Sequence, residues 1–395
     1  MKRILFLHQA STIGGGSYCL LNVVKTVDRS QFVPVVALSG EGPLADELRK
    51  IGVEVLIFRE MIAIPYNGSL LKIRNVLTYC KVARSIPAFK RLLAENDIDV
   101  VYLNNMMIYR YLRPAKECGC KTILHVREHW PLDEHTTQLG WARETVNKYC
   151  DKLIAINRYS ASIFPDKTAT IVYDWIDMAS RYEERPLADI FGEDMTGKKV
   201  YLFTGGRQRI KGTYEVLDAF KNQIKDPNAR LLVLGYDSAH PTAGFIGLLK
   251  QILFACGFDI NELKCKQIID SDARIKSIPA TYNITHIIEQ SYCMVSYFTI
   301  PHANLALAES LIVGTPVVAA DTDEAREYSL DGSLASLFPI LDRKAFADAL
   351  LNTDFEKMRA DIQASSHVIA EMFDPQRNVD RLKGIYDEVL TSGQF

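Results

Sequence analysis

Short continuous runs of apolar residues alternate along this chain with longer segments in which apolar positions recur every three or four residues. Arg3 to His8 is an unbroken apolar run of the kind buried on both faces of a parallel sheet. Val33 to Leu38, Val53 to Phe58, Val100 to Leu103, Lys121 to Val126, Lys152 to Ile156 and Thr170 to Val172 repeat that pattern. Between them the helical period returns, from about Tyr18 to Val27, from Leu44 to Ile51, over a long region to about Glu95 interrupted at Pro87, and from Asn157 to Phe164. Strand and helix in turn predict a doubly wound parallel sheet.

From Met178 to Lys199 the chain turns charged and irregular, with Pro186, Gly192 and Gly197, and reads as a domain boundary. A second alternation follows. Strands are predicted at Val200 to Thr204, Arg230 to Gly235, Met294 to Phe298 and Pro316 to Ala320. Helices are predicted from Gly212 to about Gln223, over Gly244 to Cys256, Ile284 to Gln290, Ala345 to Leu351, Phe355 to Phe373 and Pro375 to Leu390. The fold class is therefore α/β, with two Rossmann-like doubly wound parallel-sheet domains, residues 1–180 and 195–374, and a final helix in 375–395.

Composition narrows this picture. With 395 residues and 48% hydrophobic content, each domain can bury its own core. A net charge of −2 leaves no whole-chain basic field of the sort nucleic acid requires. Eight cysteines lack metal-finger spacing, Cys118 and Cys120 lying too close together, and reduced thiols in a cytoplasmic protein are the simplest account. The amino-terminal basic start and apolar run are too short for a signal peptide and lead straight into a glycine loop, so they read as the first strand. No apolar run has the length needed to span a bilayer. Between Leu70 and Leu93, Lys72, Arg74, Lys81, Arg84, Lys90 and Arg91 mix with leucines and aromatics. Such a surface suits peripheral contact with anionic lipid, although a charged solvent face on a packed helix is commoner.

Four stretches carry candidate chemistry. Ser11 to Ser17 contains Gly14, Gly15 and Gly16 just before a helix, so the backbone can approach a ligand or simply turn tightly; it is neither a G-x-G-x-x-G nor a P-loop. Gly205 to Gly212 sets Gly206 beside Arg207, Arg209 and Lys211, and cations next to a glycine loop suit a diphosphate. Asn304 can cap a helix opening at Leu305 and stopping at Gly314, whose free N–H groups favour an anion. Glu309, the acid of that helix, can accept bonds from two adjacent hydroxyls, as on a ribose, or can be a plain solvated residue. His125 stands at the carboxyl end of a strand, where open α/β sheets bind ligands, or is a packed or hydrogen-bonded core histidine, with Glu128 and His129 following. Although H-x-x-E-H is an inverted zinc-protease pattern, the first histidine sits on a strand and Pro131 breaks the chain, so zinc is rejected. The aspartate pairs at 97/99, 270/272 and 321/323 recur too freely to mark a metal site.

The order of acid, helix, Gly-Thr-Pro-Val-Val, strand and further acid after Asn304 resembles the nucleotide-sugar site of GT-B glycosyltransferases, most closely the retaining enzymes of family 4. That resemblance implies two domains facing a cleft, with the final helix crossing back to the first. In the family two glutamates bracket seven residues; Glu309 matches the second, whereas the first falls on Pro301, leaving His302 and Asn304 as polar candidates beside the donor sugar. Arg207 and Lys211 match a Gly-Arg…Lys-Gly element, and because the gap is short Arg209 can take the arginine's role. His125 resembles the cleft histidine directed at the donor sugar, Gly14, Gly15 and Gly16 fall on the cleft loop, and Glu128 and His129 are acceptor candidates. Tyr173 to Asp177 partly matches an Asn-Gly-Val-Asp turn.

What the resemblance implies is metal-independent, cofactor-free, retaining transfer of a sugar from a nucleotide-diphosphate sugar to a hydroxyl of a glycan or lipid-linked acceptor. Surface-polysaccharide or lipid-linked glycan assembly, in the cytoplasm or at the inner membrane face, is the setting on family precedent. Because of Pro301, a non-catalytic nucleotide-sugar-binding scaffold stays open, as does a GT-B isomerase or phosphorylase. An NAD-dependent oxidoreductase is disfavoured, because neither sheet opens with the glycine fingerprint and its later acid.

Overall fold

The computed structural model describes residues 1–12, 14–64, 73–130, 137–178, 180–236, 249, 252–253, 261–281, 283–301 and 304–391. They form two compact units, Met1–Trp175 with Asp374–Phe395, and Ile176–Phe373. The segment that reads as a linker, Met178 to Lys199, packs with the second unit; its short helix Leu187–Phe191 buries Leu187 there.

In the first unit, β1 (Lys2–His8), β2 (Phe32–Leu38), β3 (Glu54–Ile57), β4 (Val100–Leu103), β5 (Lys121–Val126), β6 (Lys152–Ala155) and β7 (Ala169–Ile171) make a sheet of order β3-β2-β1-β4-β5-β6-β7. Every pairing is parallel, with Leu5 opposite both Val35 and Val101. Side chains alternate between the two faces of a strand, and here both faces are apolar. Leu5 and Leu7 join one core, Ile4 and Phe6 the other, which explains the unbroken apolar run. The helix Pro375–Thr391 closes the second of these cores with Leu382, Ile385, Tyr386 and Val389.

The second unit repeats the plan. Its strands β8 (Lys199–Phe203), β9 (Ala229–Leu234), β10 (Ile275–Ile278), β11 (Cys293–Ser296), β12 (Val317–Ala320) and β13 (Ser336–Phe338) are ordered β10-β9-β8-β11-β12-β13, again all parallel. In each sheet the strand order reverses beside the first strand, between β1 and β4 and between β8 and β11. Open α/β sheets bind ligands at the carboxyl ends of strands at such a reversal.

Three helices differ from the sequence reading, and the one predicted over Phe355 to Phe373 is two, Phe355–Ala364 and Ser366–Phe373, parted at Ser365. The helix after the glycine loop begins at Gly15, three residues before Tyr18, because Gly14 in extended conformation (φ −144°, ψ −176°) serves as its cap and Gly14 O accepts from Tyr18 N at 2.9 Å. The helix Ile73–Glu95 continues through Pro87, since burial of Val82, Phe89 and Leu93 in the first core outweighs the one hydrogen bond that proline removes. The helix predicted at Gly244 to Cys256 lies almost wholly outside the described residues.

Candidate active site

In the first unit, polar side chains gather at the strand ends next to the reversal. β1 ends in His8, and Asn104 follows β4 with its N–H bonded to Leu7 O at 3.1 Å. Asn104 Nδ2 donates to His8 Nδ1 at 3.1 Å and to Gly16 O at 3.2 Å, while its Oδ1 accepts from Arg127 Nε at 3.1 Å. Ser17 gives its hydroxyl proton to Thr12 O at 2.8 Å, so it accepts from His8 Nε2–H at 3.1 Å. Burial, helped by the Arg127 charge, pushes His8 down to about 3, so the ring is neutral and its two nitrogens tie the glycine loop to β4.

His125, fully buried at the end of β5, is held from one side. Its Nδ1 lies 2.5 Å from the Tyr102 hydroxyl and 3.1 Å from Arg127 Nη2. Burial, then the neighbouring Arg127 cation, keeps its pKa well below the ordinary value. Arg127 is itself buried and ion-paired with Asp174, in the loop after β7. Glu128 Oε2 accepts from the backbone N–H groups of Met106 (2.9 Å) and Arg127 (3.1 Å), and burial raises its carboxyl to about 7. His129 is stacked on Tyr159, with ring centroids 3.8 Å apart. Gly14, Gly15 and Gly16 have no positive φ, and among the described residues a Cβ at Gly14 or Gly15 would meet nothing within 4 Å. Gly15 and Gly16 instead form the first turn of the helix, whose leading N–H groups have no intrahelical acceptor.

In the second unit the equivalent reversal carries the cations. Gly206 adopts φ +59° and a Cβ there would lie 2.9 Å from Gly235 O; at Gly212, φ +69°, it would lie 2.2 Å from the Tyr297 ring. Glycine is thus required at both ends of the loop, which Thr213 Oγ1 ties off by donating to Gly206 O at 2.7 Å. Arg207 is drawn to Glu262 at 3.2 Å and lies over the Tyr236 ring. Arg209 and Lys211 have no ion pair among the described residues, and burial lowers the pKa of Lys211. The loop after β11 abuts them, with Thr299 N donating to Ile210 O at 2.8 Å.

Asn304 caps the helix Leu305–Val313 as its sequence implies, accepting from Leu307 N at 3.2 Å, and its Nδ2 donates to Ser296 Oγ at 2.8 Å. Its side chain is therefore turned into the fold. Leu305 begins that helix, and His302 lies outside the described residues. Glu309 is only 3% exposed and ion-paired with buried Arg181, which rules out a solvated helix residue. Asp270, Asp272 and Asp321 pair with Lys266, Arg274 and Arg326 respectively.

Sequence reading missed His8, Asn104 and Arg127 and passed over Arg181. The strand-end rule that singled out His125 applies equally to His8. Arg181 lay in a charged stretch with no periodic signal.

No protein-family model matches the chain. It is 33% identical over 94 residues to a phosphatidyl-myo-inositol mannosyltransferase of Mycobacterium leprae, an alignment spanning 22% of this chain and 24% of that relative's length. It is 23% identical over 346 residues, 84% of this chain and 80% of the relative, to a phosphatidyl-myo-inositol mannosyltransferase of Mycolicibacterium smegmatis. The crystal structure of Anabaena HepE in complex with UDP and glucose superposes with a TM-score of 0.73 at 18% identity, covering 98% of this chain and 100% of that one. Two parallel-sheet units of this topology, and these likenesses, give the chain the GT-B fold and make it a relative of glycosyltransferases that share it.

Proposed function

We propose that the chain is a retaining glycosyltransferase that moves a sugar from a nucleotide-diphosphate sugar to a hydroxyl acceptor, without a metal. The observation that carries this reading is the pair of cations, Arg209 and half-buried Lys211, with no carboxylate partner among the described residues, beside a glycine loop at the reversal of the second sheet. Departure of a nucleoside diphosphate leaves negative charge on its phosphate oxygens, and fixed cations with little water around them oppose that charge strongly. Half-buried Lys211 meets that charge together with Arg209, which is exposed, the helix opening at Leu305 adds its free N–H groups, and Arg207 is held back by Glu262 as an accessory charge. Glu309 orients the ribose through the oxygen that Arg181 does not hold, and His125 meets the sugar. Glu128 and His129 belong to the acceptor side. The mannosyltransferase relatives and the UDP–glucose complex of HepE support a hexose donor.

Thermal stabilisation by a panel of nucleoside diphosphates and their sugars, in EDTA, tests the reading, because a ligand that binds only the folded chain raises its melting temperature. A shift with one base that disappears in Lys211→Ala and Arg209→Ala, together with product of retained anomeric configuration and turnover about 100-fold lower in Lys211→Ala, is the expected outcome. Absence of any shift sinks the transferase; a shift without turnover over many acceptors leaves a binding scaffold.

A lipid-linked acceptor is favoured by one further observation. No Asp or Glu occurs between Glu60 and Glu95, where Lys72, Arg74, Lys81, Arg84, Lys90 and Arg91 lie, and the helix there exposes Ile73, Val76 and Leu77 at one-turn spacing. Among the described residues no helix is long and apolar enough to cross a membrane. Co-sedimentation with vesicles containing anionic lipid, weakened by Ile73→Ser with Leu77→Ser and by salt, is the expected result; equal binding to neutral vesicles contradicts it.

A further inference from the structure

His8 and His125 are both buried and both neutral, but they differ in what is left over. On His8 both ring nitrogens are used, Nδ1 by Asn104 and Nε2 by Ser17. On His125 only Nδ1 is used, and Nε2, with no exposed surface, has no partner among the described residues. The arginine decides where the proton of His125 sits. A guanidinium has donors and no acceptor, so the 3.1 Å contact of Arg127 Nη2 with Nδ1 is a hydrogen bond only where Nδ1 presents its lone pair. The Tyr102 hydroxyl, 2.5 Å from the same nitrogen, can donate or accept and so follows the direction that the arginine sets. The proton of the neutral ring is therefore on Nε2.

Arg127 has little freedom to do otherwise. Asp174 holds Nη1, Asn104 Oδ1 holds Nε, and the third edge of the guanidinium faces His125 and the Tyr102 hydroxyl beside it. A planar fork with three fixed contacts sets direction in a way a lysine cannot.

We propose that Arg127, anchored by Asp174 and Asn104, is a positioning residue that locks His125 as the Nε2–H tautomer, so that His125 meets its ligand as a hydrogen-bond donor to an oxygen and not as a base. This rests on the reading that His125 contacts the donor sugar, but the lock itself is a property of the free protein. The same chain of contacts reaches Gly16 O through Asn104, so the glycine loop and the His125 ring are set by one network.

The test is nitrogen NMR of the full chain labelled in its histidine rings, with the His125 signals assigned from His125→Gln. A single neutral Nε2–H ring that does not titrate between about pH 5 and 8 is expected in the native chain, and a mixture of both tautomers in Arg127→Gln. If Arg127→Gln does not fold because partly buried Asp174 is left unpaired, Arg127→Gln with Asp174→Asn removes that charge and is read instead. A Nδ1–H ring in the native chain, or a pure Nε2–H ring in whichever variant folds, overturns the proposal. Addition of UDP-glucose should then move the Nε2–H signal; if no nucleotide sugar binds at all, the transferase reading fails while the tautomer result stands.

Discussion

At the scale of single residues, the ion pair between Arg181 and Glu309 is the most exposed to test, because both side chains are more than nine-tenths buried. Removing one partner leaves the other as an uncompensated buried charge, which is far more damaging than replacing both. Glu309→Ala is therefore expected to lose about 3–5 kcal/mol in urea unfolding, and Glu309→Leu with Arg181→Leu to recover most of it. A loss below about 1 kcal/mol for the single variant would mean that the pair is open to water.

Glu128 offers a second residue-scale test, in its dependence on pH. Its carboxyl titrates near 7 in the fold against an ordinary 4.5, because burial penalises the charged form. Stability from this group is thus fully present below 4.5 and is lost as pH rises through about 7. Glu128→Gln should gain on the native chain between those values and run parallel to it above them. His8 works in the opposite sense: its pKa is depressed from 6.5 to about 3, so its contribution is present above 6.5 and fades as pH falls through that window.

At the scale of elements, the two glycine loops look alike in sequence and differ in structure. Gly212 is fixed by its own fold, with a positive φ and the Tyr297 ring where a Cβ would go. Gly15 is in ordinary helical backbone, and among the described residues nothing lies within 4 Å of where its Cβ would go. Gly212→Ala should destabilise the chain, whereas Gly15→Ala should leave stability unchanged or raise it by up to about 1 kcal/mol while weakening nucleotide-sugar binding. Paired melting curves with and without UDP-glucose separate these outcomes, and an equal ligand shift in Gly15→Ala would remove the loop from the site.

The elements also show how far sequence could carry the reading. Apolar runs such as Arg3 to His8 announced their strands because both faces of a parallel sheet are buried, and Asn304 and Gly314 announced both ends of their helix because capping is local chemistry. What was hidden depends on residues distant in the chain. Arg127 acquires its role from Asp174 and Asn104, and Arg181 from Glu309, partners that only the fold brings together. The ion pair of Arg207 with Glu262 was equally hidden.

At the scale of the whole molecule, the first unit is made of two separated pieces of chain and the second of one. The helix Pro375–Thr391 sets Leu382, Ile385, Tyr386 and Val389 against Phe32 and Tyr102, burying four side chains worth roughly 1.5–3 kcal/mol each. Cutting the chain after Phe373 should unfold the first unit while leaving the second intact; the fragment Ile176–Phe373 alone should melt cooperatively, and the fragment Met1–Trp175 alone should not. Limited proteolysis of the three fragments checks this, and a protease-resistant Met1–Trp175 would contradict it.

That split has a consequence for how the protein comes into being on the ribosome. The first 175 residues emerge with one face of their sheet missing part of its cover, and they remain so while residues 176–373 are made. At about 5–20 residues per second that interval is on the order of 10–40 seconds. Through it the amino-terminal sheet presents an apolar patch that the cell's chaperones can recognise, and the unit encoded first is the one completed last.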